Sequence, residues 1–511
     1  MSSRKRQIAI GSIMSYISIG LNILAGLLYT PWMIRQIGES QYGIYTLANS
    51  LITLFLIDFG LSAATARFMS KYHAEGDEQK ANGFLGVIYK LYLIIDAVIF
   101  TTLLVIYFLL DKIYVQLTPE EITQFKIVYI IAGSFSIFNF PFVTLNGILT
   151  AYEKFIQQKL GDIIYRVLLV GMMCAALFLG YGLYALVAVH AIVGLIMIAY
   201  KLIIIKTLTP VKVNFKHRDK TLFKDIFKFS IWVTVSTFAA RLIFNISPTI
   251  LGVVAGSGSS AIAVFGVVAT IESYAYIVTT AINGMFMPKI SVIYANPDPE
   301  KNIMPLMINV GRFQFALNAL IVIGFALIGK PFINLWVGEG YSLAYYGILL
   351  VLTPGLFFNS LQIVNTAMMV TNNTRLQGLI NLLTGVINVC VSFVLSYFYG
   401  MIGACVSICF AYTVRFVILH IVGQTKMKLD IKLFIKKCYL KMAVPAICTF
   451  VVGFAVNFFW KNNDIIALAA KSGIIFLCFL AFNLVLGLTK GERSKIFVVI
   501  GNKLRKKPKS V

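Results

Sequence analysis

Apolar runs long enough to cross a bilayer recur from one end of the 511-residue chain to the other, separated by short polar segments. A helix rises about 1.5 Å per residue, so about 20 apolar residues span the hydrocarbon layer. That ruler predicts about fourteen spanning helices. The first six run roughly over 8–30, 42–66, 83–110, 122–149, 160–179 and 182–205. The next six run roughly over 225–254, 260–287, 303–329, 342–370, 376–398 and 401–421, and a last pair over 438–459 and 465–488.

The two sets of six resemble one another. Pro141 stands five residues before Asn146 in the fourth span, and Pro354 five before Asn359 in the tenth. The sixth and twelfth spans both follow tight turns, "GYGLYALVAV" and "FYGMIGACVS". Six is even, so both copies enter from the same side and form parallel repeats. The expected fold is an all-α integral membrane protein of about 14 transmembrane helices. Residues 1–206 form an N-terminal six-helix lobe, 207–224 a basic cytoplasmic linker, and 225–425 a C-terminal six-helix lobe. Residues 426–511 supply two additional helices and a basic tail.

Composition agrees: 59% of residues are hydrophobic and 13% charged, against about 25% charged in a soluble chain. The net charge of +24 does not point to nucleic acid, because lysines and arginines fall between the apolar runs, where the positive-inside rule and anionic lipid account for them. With the N-terminus in the cytoplasm, the basic segments Arg4–Arg6, Lys201–Lys228, Lys426–Lys441 and Lys490–Lys509 all lie inside. The outer loops hold only Arg35, Lys112, Lys330 and Lys461, with Lys126 and Lys471 just within adjoining spans. "MSSRKRQ" and the run after it read as an uncleaved first span, because the run is long and no A-x-A-like site follows. The seven cysteines lack a C-x-x-C pair and the four histidines are scattered, so neither a disulfide framework nor a metal site is expected.

Polar residues recur at helical spacing in four spans. The first carries Ser15, Ser18, Asn22 and Gly26, and the second Tyr42, Thr46, Asn49 and Thr53, with Asp58 on a neighbouring face. The seventh carries Ser230, Thr234, Thr237, Arg241 and Asn245, and the eighth Glu272, Tyr276, Thr279, Thr280 and Asn283. Such stripes suit a hydrated cavity. Arg241 and Glu272 fall near mid-depth, where a charge costs roughly 2.5 to 3.5 kcal/mol on insertion scales. Two readings stand: an ion pair that packs the seventh helix on the eighth, or an anion site with Glu272 beside it. A guanidinium suits phosphate because its planar fork donates two bonds and keeps its charge when desolvated. Lys90, Arg166, Arg312 and Arg415 lie in the inner third of their spans, where they either snorkel to headgroups or help hold an anion. Asp58, Asp96 and Glu272 are candidate ion-coupling groups, or simply satisfied hydrogen bonders.

Three segments, "IGESQYGIYTLANSL", "DFGLSAATARFMSKYHAEGD" and "FPFVTLNGILTAYEKF", together with the six, six and two order, resemble the polysaccharide transporters of the multidrug/oligosaccharidyl-lipid/polysaccharide exporter superfamily, specifically the O-antigen and repeat-unit flippases. The resemblance implies two lobes in a V around a cationic cavity lined by the first, second, seventh and eighth spans. It implies a flippase that turns an undecaprenyl-diphosphate-linked oligosaccharide from the inner to the outer face of the bacterial inner membrane, by alternating access, for O-antigen, capsule or exopolysaccharide synthesis. By analogy with peptidoglycan-precursor flippases, the last two spans would shape a groove for the lipid tail.

The expected substrate-binding residues are Arg241, Arg166, Lys90 and Arg312, with Asn22, Asn49, Thr53, Thr237, Asn245, Tyr276 and Thr280 lining the cavity. No cofactor and no covalent chemistry are expected; a proton or sodium ion would drive the cycle. Expected partners are membrane lipids, a polysaccharide polymerase and a chain-length regulator, around a monomer with both termini in the cytoplasm. A cation-coupled drug exporter of the same superfamily is the nearest alternative, and would favour acidic cavity residues. A glycan polymerase or glycosyltransferase would expose a large acidic loop, which is absent here. An assembly scaffold would leave the polar stripes without a purpose.

Overall fold

The computed structural model describes residues 3–55, 58–217, 219–254, 256, 258–371, 373–488 and 493. The basic tail from Lys490 to Lys509, Arg493 apart, and Arg218 lie outside the described residues. Those described fold entirely as helices and turns, without a strand. In chain order the helices are α1 Ser3–Ile37, α2 Glu39–Phe55, α3 Leu61–Glu75, α4 Glu78–Ile113, α5 Pro119–Asn139, α6 Thr144–Ala151, α7 Phe155–Phe178 and α8 Leu183–Leu208. There follow α9 Lys220–Phe244, α10 Ser247–Val254, α11 Gly258–Thr280, α12 Asn283–Ala295, α13 Pro299–Trp336, α14 Leu343–Phe358, α15 Gln362–Val370 and α16 Thr374–Thr425. Short α17 Ile431–Phe434 leads to α18 Lys441–Phe459 and α19 Ile465–Phe482.

Helix starts carry their own signals. Thr118 and Glu121 form a capping box with Pro119 at the first turn of α5. Asp77, Asp219 and Asp464 accept from the first-turn N–H groups of α4, α9 and α19. In the loop before α4, the hydrogen bond from Lys80 holds the Asp77 carboxyl below its usual range.

Eleven helices are long and apolar enough to cross a membrane, or twelve if the bent pair α9–α10 is one span. The expected fourteen are compatible with this. Gly400, at φ 54° and ψ −133°, breaks α16 into two helices, as the expected boundary near 398–401 requires. With 17 residues, α2 is too short alone to cross. Several spans are interrupted where the two repeats would correspond: α2 gives way to α3 as α11 does to α12, and a 3₁₀ turn separates α5 from α6 (Phe140–Val143) as another separates α14 from α15 (Asn359–Leu361). Side chains such as Phe108 at 70% and Phe459 at 84% exposure face outward, as suits hydrocarbon and not water.

The chain divides into two compact units. Unit 1 is Met1–Tyr274 with Asn372–Ala411, and unit 2 is Ala275–Thr371 with Tyr412–Val511. In unit 1, α1 packs on α7, α7 on α8, α2 on α5 and α3 on α6. The last pair is tight: a Cβ on Gly147 would stand 2.5 Å from the Ser62 carbonyl. In unit 2, α13 packs on α14 and α18, and α18 on α19. Lys471, 1% exposed, clamps the joined ends of α18 and α19, donating to Asn457 and Asn463 Oδ1 at 2.9 Å each. Two amide dipoles therefore replace the water its ammonium loses.

Candidate functional site

Unit 1 holds most of the predicted residues. Arg241 sits in the last turn of α9, one residue turn before a 47° bend into α10. Pro248 begins the next helix without a backbone donor. Asn388 of α16 satisfies the carbonyls freed there, donating to Leu242 O and Ile243 O at 3.0 Å each, while its own oxygen accepts from Ser407 at 2.9 Å. Asn381 donates to Ser236 Oγ at 2.7 Å. Two buried asparagines thus fix the helix end that carries Arg241.

The half-buried Arg241 guanidinium donates to the Thr53 carbonyl on α2. No ion pair joins it to Glu272, which is half-buried on α11 with neither an ion pair nor a hydrogen bond to a described residue. Among the described residues, a neutral carbonyl and no carboxylate meets the positive charge of Arg241. Hydroxyls of the stripe are quieter than their spacing suggested: Thr237 donates to Val233 O and Thr280 to Tyr276 O, each within its own helix, at 2.8 and 2.6 Å. Asn245 caps α9 through its N–H to Arg241 O, and Asn22 is half-exposed on α1.

Arg166 lies midway along α7, half-buried, with no ion pair or hydrogen bond to a described residue. Its charge acts on Tyr45, Tyr165, Tyr274 and His190. Tyr45 and His190 hydrogen-bond at 2.8 Å, and exposed Asn49 lies beside Tyr45. The sequence reading passed over this aromatic group, because hydropathy counts a tyrosine as neither plainly polar nor apolar. Lys90 is already engaged, its ammonium donating to His217 O of the linker at 2.8 Å. Asp58 fills the break between α2 and α3, where its carboxylate accepts from Tyr92 at 2.8 Å and from the Ser62 N–H at the start of α3. That is a helix-capping geometry. Asp96 Oδ1 is buried without a hydrogen-bond partner.

A cavity of about 260 Å³ opens between α5, α7 and α8, its polar lining being Asn139, Asn146, Asp162, Tyr165 and Lys201. Lys159 pairs with Asp162 at 3.0 Å. None of these side chains was among the predicted site residues.

Unit 2 holds Tyr276, Thr280 and Arg312. Tyr276 is 41% exposed, whereas Arg312 is 8% exposed and donates to the Gly487 carbonyl. Arg415 lies over the Phe358 ring at 4.5 Å. An apolar groove of about 390 Å³ runs between α13 and α19, lined by Leu320, Phe325, Phe332, Ile475 and Phe476 among others. Among the described residues, no group of three or more His, Cys, Asp or Glu side chains could hold a metal ion, and all seven cysteines are free.

Comparison with known proteins places these features in context. Residues 8–294 match the family model described as polysaccharide biosynthesis protein. A Shigella flexneri protein assigned as an O-antigen transporter is 22% identical over 387 residues, 74% of this chain and 88% of that protein. A solved structure of the lipid II flippase MurJ in an inward closed conformation superposes with a TM-score of 0.73 at 15% identity, over 93% of this chain and 98% of that one. An inward-facing multidrug resistance MATE transporter of the MOP superfamily gives 0.65 at 15% identity, over 80% and 94%. A Pyrococcus furiosus MOP superfamily transporter with a binding pocket of reversed polarity gives 0.60 at 16%, over 83% and 96%. At these identities the structures share the fold.

Proposed function

We propose that this chain, which belongs to the polysaccharide biosynthesis protein family, is a flippase for an undecaprenyl-diphosphate-linked oligosaccharide, carrying it from the cytoplasmic to the outer face of a bacterial inner membrane. The observation that carries this reading is Arg241: a guanidinium on a spanning helix, held by two buried asparagines at its base and bonded, among the described residues, only to a main-chain carbonyl. A fixed charge without a carboxylate partner is costly in hydrocarbon and suits an anionic cargo.

In this mechanism the diphosphate meets Arg241, with Arg166 as the second cation, while sugar hydroxyls meet amides and tyrosines in place of unsatisfied hydrocarbon. Lys90 and Arg312, engaged with backbone carbonyls, serve packing first. The lipid tail stays in the bilayer and lies along the groove between α13 and α19. Two pseudo-equivalent lobes then rock to expose the headgroup on the other side, with no bond made or broken. Two arginines with no carboxylate partner among the described residues weigh against the drug-exporter alternative, whose cationic cargo would need acidic contacts.

The test is surface glycan in a flippase-null strain. Arg241→Ala abolishes glycan at unchanged protein level in the membrane, and Arg241→Lys restores it in part, because a point charge lacks the fork. Full activity of the alanine variant would remove the anion site.

A further inference from the structure

The cavity of about 260 Å³ among α5, α7 and α8 of unit 1 has no part in the transport reading, yet it is built like a site. Glycines bring its walls together. At Gly194 of α8 a Cβ would overlap the Phe135 ring of α5, and at Gly161 of α7 it would stand 3.0 Å from the Tyr200 ring of α8. Tyr200 also donates to Gln157 O of α7 at 3.0 Å. Space left beside such close contacts is lined by polar groups that have nothing to bond. Asn139, Asn146, Tyr165 and Lys201 make no side-chain hydrogen bond or ion pair with a described residue. The fifth polar group, Asp162, is paired with Lys159 at 3.0 Å. Unspent donors converging on one space call for an occupant that can meet them.

Charge and depth point to which. Lys159 already answers Asp162, so Lys201 brings one positive charge that no carboxylate is left to match, and an anion fits where a cation does not. An ammonium with three donors suits a phosphate, while two amides and a phenol suit hydroxyls. A zwitterionic headgroup would need a free carboxylate for its amine. Asp162 stands seven residues into α7 and Lys201 seven before the end of α8, about 10 Å along each helix. With 26 residues, α8 is about 39 Å long and outreaches a hydrocarbon core of about 30 Å. Both charges therefore lie just inside the boundary where lipid phosphates sit, within reach of a lysine stem. Next to the lining residues, Phe138, Leu160 and Leu202 are 52%, 41% and 41% exposed and give acyl chains an apolar surface. Basic pockets between spanning helices take anionic lipid headgroups.

We propose that this cavity seats the headgroup of one anionic phospholipid, its phosphodiester on Lys201 and its hydroxyls on Asn139, Asn146 and Tyr165. The inference goes beyond the transport reading and does not rest on it, since a seated lipid requires no flipping.

The probe is phosphatidylglycerol, added to the purified full chain in detergent, with phosphatidylcholine of the same acyl chains and sn-glycerol 3-phosphate as separate arms. Thermal stability rises saturably with phosphatidylglycerol and much less with the other two. Lys201→Gln raises the half-saturating lipid concentration about fivefold or more, the usual weight of one cation at an anionic lipid surface, whereas Lys201→Arg and Lys212→Gln, at an exposed lysine of the linker, leave it within about twofold. Asp162→Asn keeps the size of the side chain and lowers that concentration, because the opposing charge is gone. It decides the matter should Lys201→Gln fail to fold. Equal stabilisation by phosphatidylcholine would mean that acyl chains alone bind, and equal stabilisation by sn-glycerol 3-phosphate that a soluble phosphate is the occupant; either overturns the seat. So would an equal weakening by Lys212→Gln, which marks diffuse surface charge, or a weakening by Asp162→Asn, which marks a cationic or zwitterionic occupant. Because no glycan is measured, failure here is distinct from failure of the flippase reading.

Discussion

Asn146 and Asn359 occupy the same place in the two apparent repeats: each stands five residues after a proline and beside a 3₁₀ interruption. Their surroundings differ. Asn146 lines a cavity of about 260 Å³ that also holds Asp162, Tyr165 and Lys201. Asn359, 5% exposed, is packed among uncharged amides, and its side-chain oxygen lacks a partner among the described residues. One backbone device, an interruption that releases helix-end groups, thus serves a charged, open neighbourhood in unit 1 and a neutral, close-packed one in unit 2. The device sets where polar groups converge, and the flanking side chains decide what they can hold.

The largest effect tests the close packing behind Asn146. Gly147→Val puts a branched side chain where a Cβ would already stand 2.5 Å from the Ser62 carbonyl of α3. Backbone cannot yield as a side-chain tip can, so we expect a loss at or above the upper end of the roughly 1 to 3 kcal/mol usual for overpacking. The next residue after Asn359 is Ser360, 0% exposed, whose hydroxyl donates to Phe357 O at 2.6 Å. Its oxygen also meets the Tyr439 hydroxyl at 3.3 Å; because Tyr439 keeps Phe357 O as a partner, Ser360→Ala should still cost only about 0.5 to 1.5 kcal/mol. Thermal unfolding in detergent compares the two, and equal losses would end the contrast between the copies.

Next in size is the asparagine pair itself. Asn359→Leu leaves Asn318 Oδ1 buried without its donor and should lower stability by about 1 to 3 kcal/mol. Asn146→Leu, on a cavity wall that water can reach, should lower it by less than about 1 kcal/mol. A reversed order in the same unfolding assay would show that the cavity at Asn146 is dry and the cluster at Asn359 is not.

Much of the fold was legible because a bilayer imposes one length and one composition on every span, and Gly400 marked the joint between the eleventh and twelfth. The interruptions were half legible: Pro141 and Pro354 announced them, but neither the 3₁₀ turns nor the amides gathered there follow from a proline alone. Division into the two compact units left no mark in hydropathy. At the site, the depth of Arg241 could be read, whereas its partner could not, because a backbone carbonyl such as Thr53 O has no residue signature. The same holds for Lys90 and His217 O. Asp162 and Lys201 escaped notice because charges near the ends of two spans resemble ordinary headgroup contacts until the helices bring them to one cavity.

The smallest effect concerns the charges of the open copy. Asp162 pairs with Lys159 at 3.0 Å, with both side chains more than a third exposed, and its charge also acts on Lys201 across the cavity. If water fills that space, Asp162→Asn removes a screened pair and costs less than about 1 kcal/mol. Lys201 would then keep its hydration after losing the opposing charge. A dry cavity behaves differently, since removing one member of a buried pair strands the other and costs about 3 to 5 kcal/mol. A small loss in the Asp162→Asn variant that shrinks further at high salt therefore supports the wet reading. A loss of several kcal/mol that salt does not change would make the neighbourhood of Asn146 as closed as that of Asn359, and the two copies would then differ only in the sign and number of their charges.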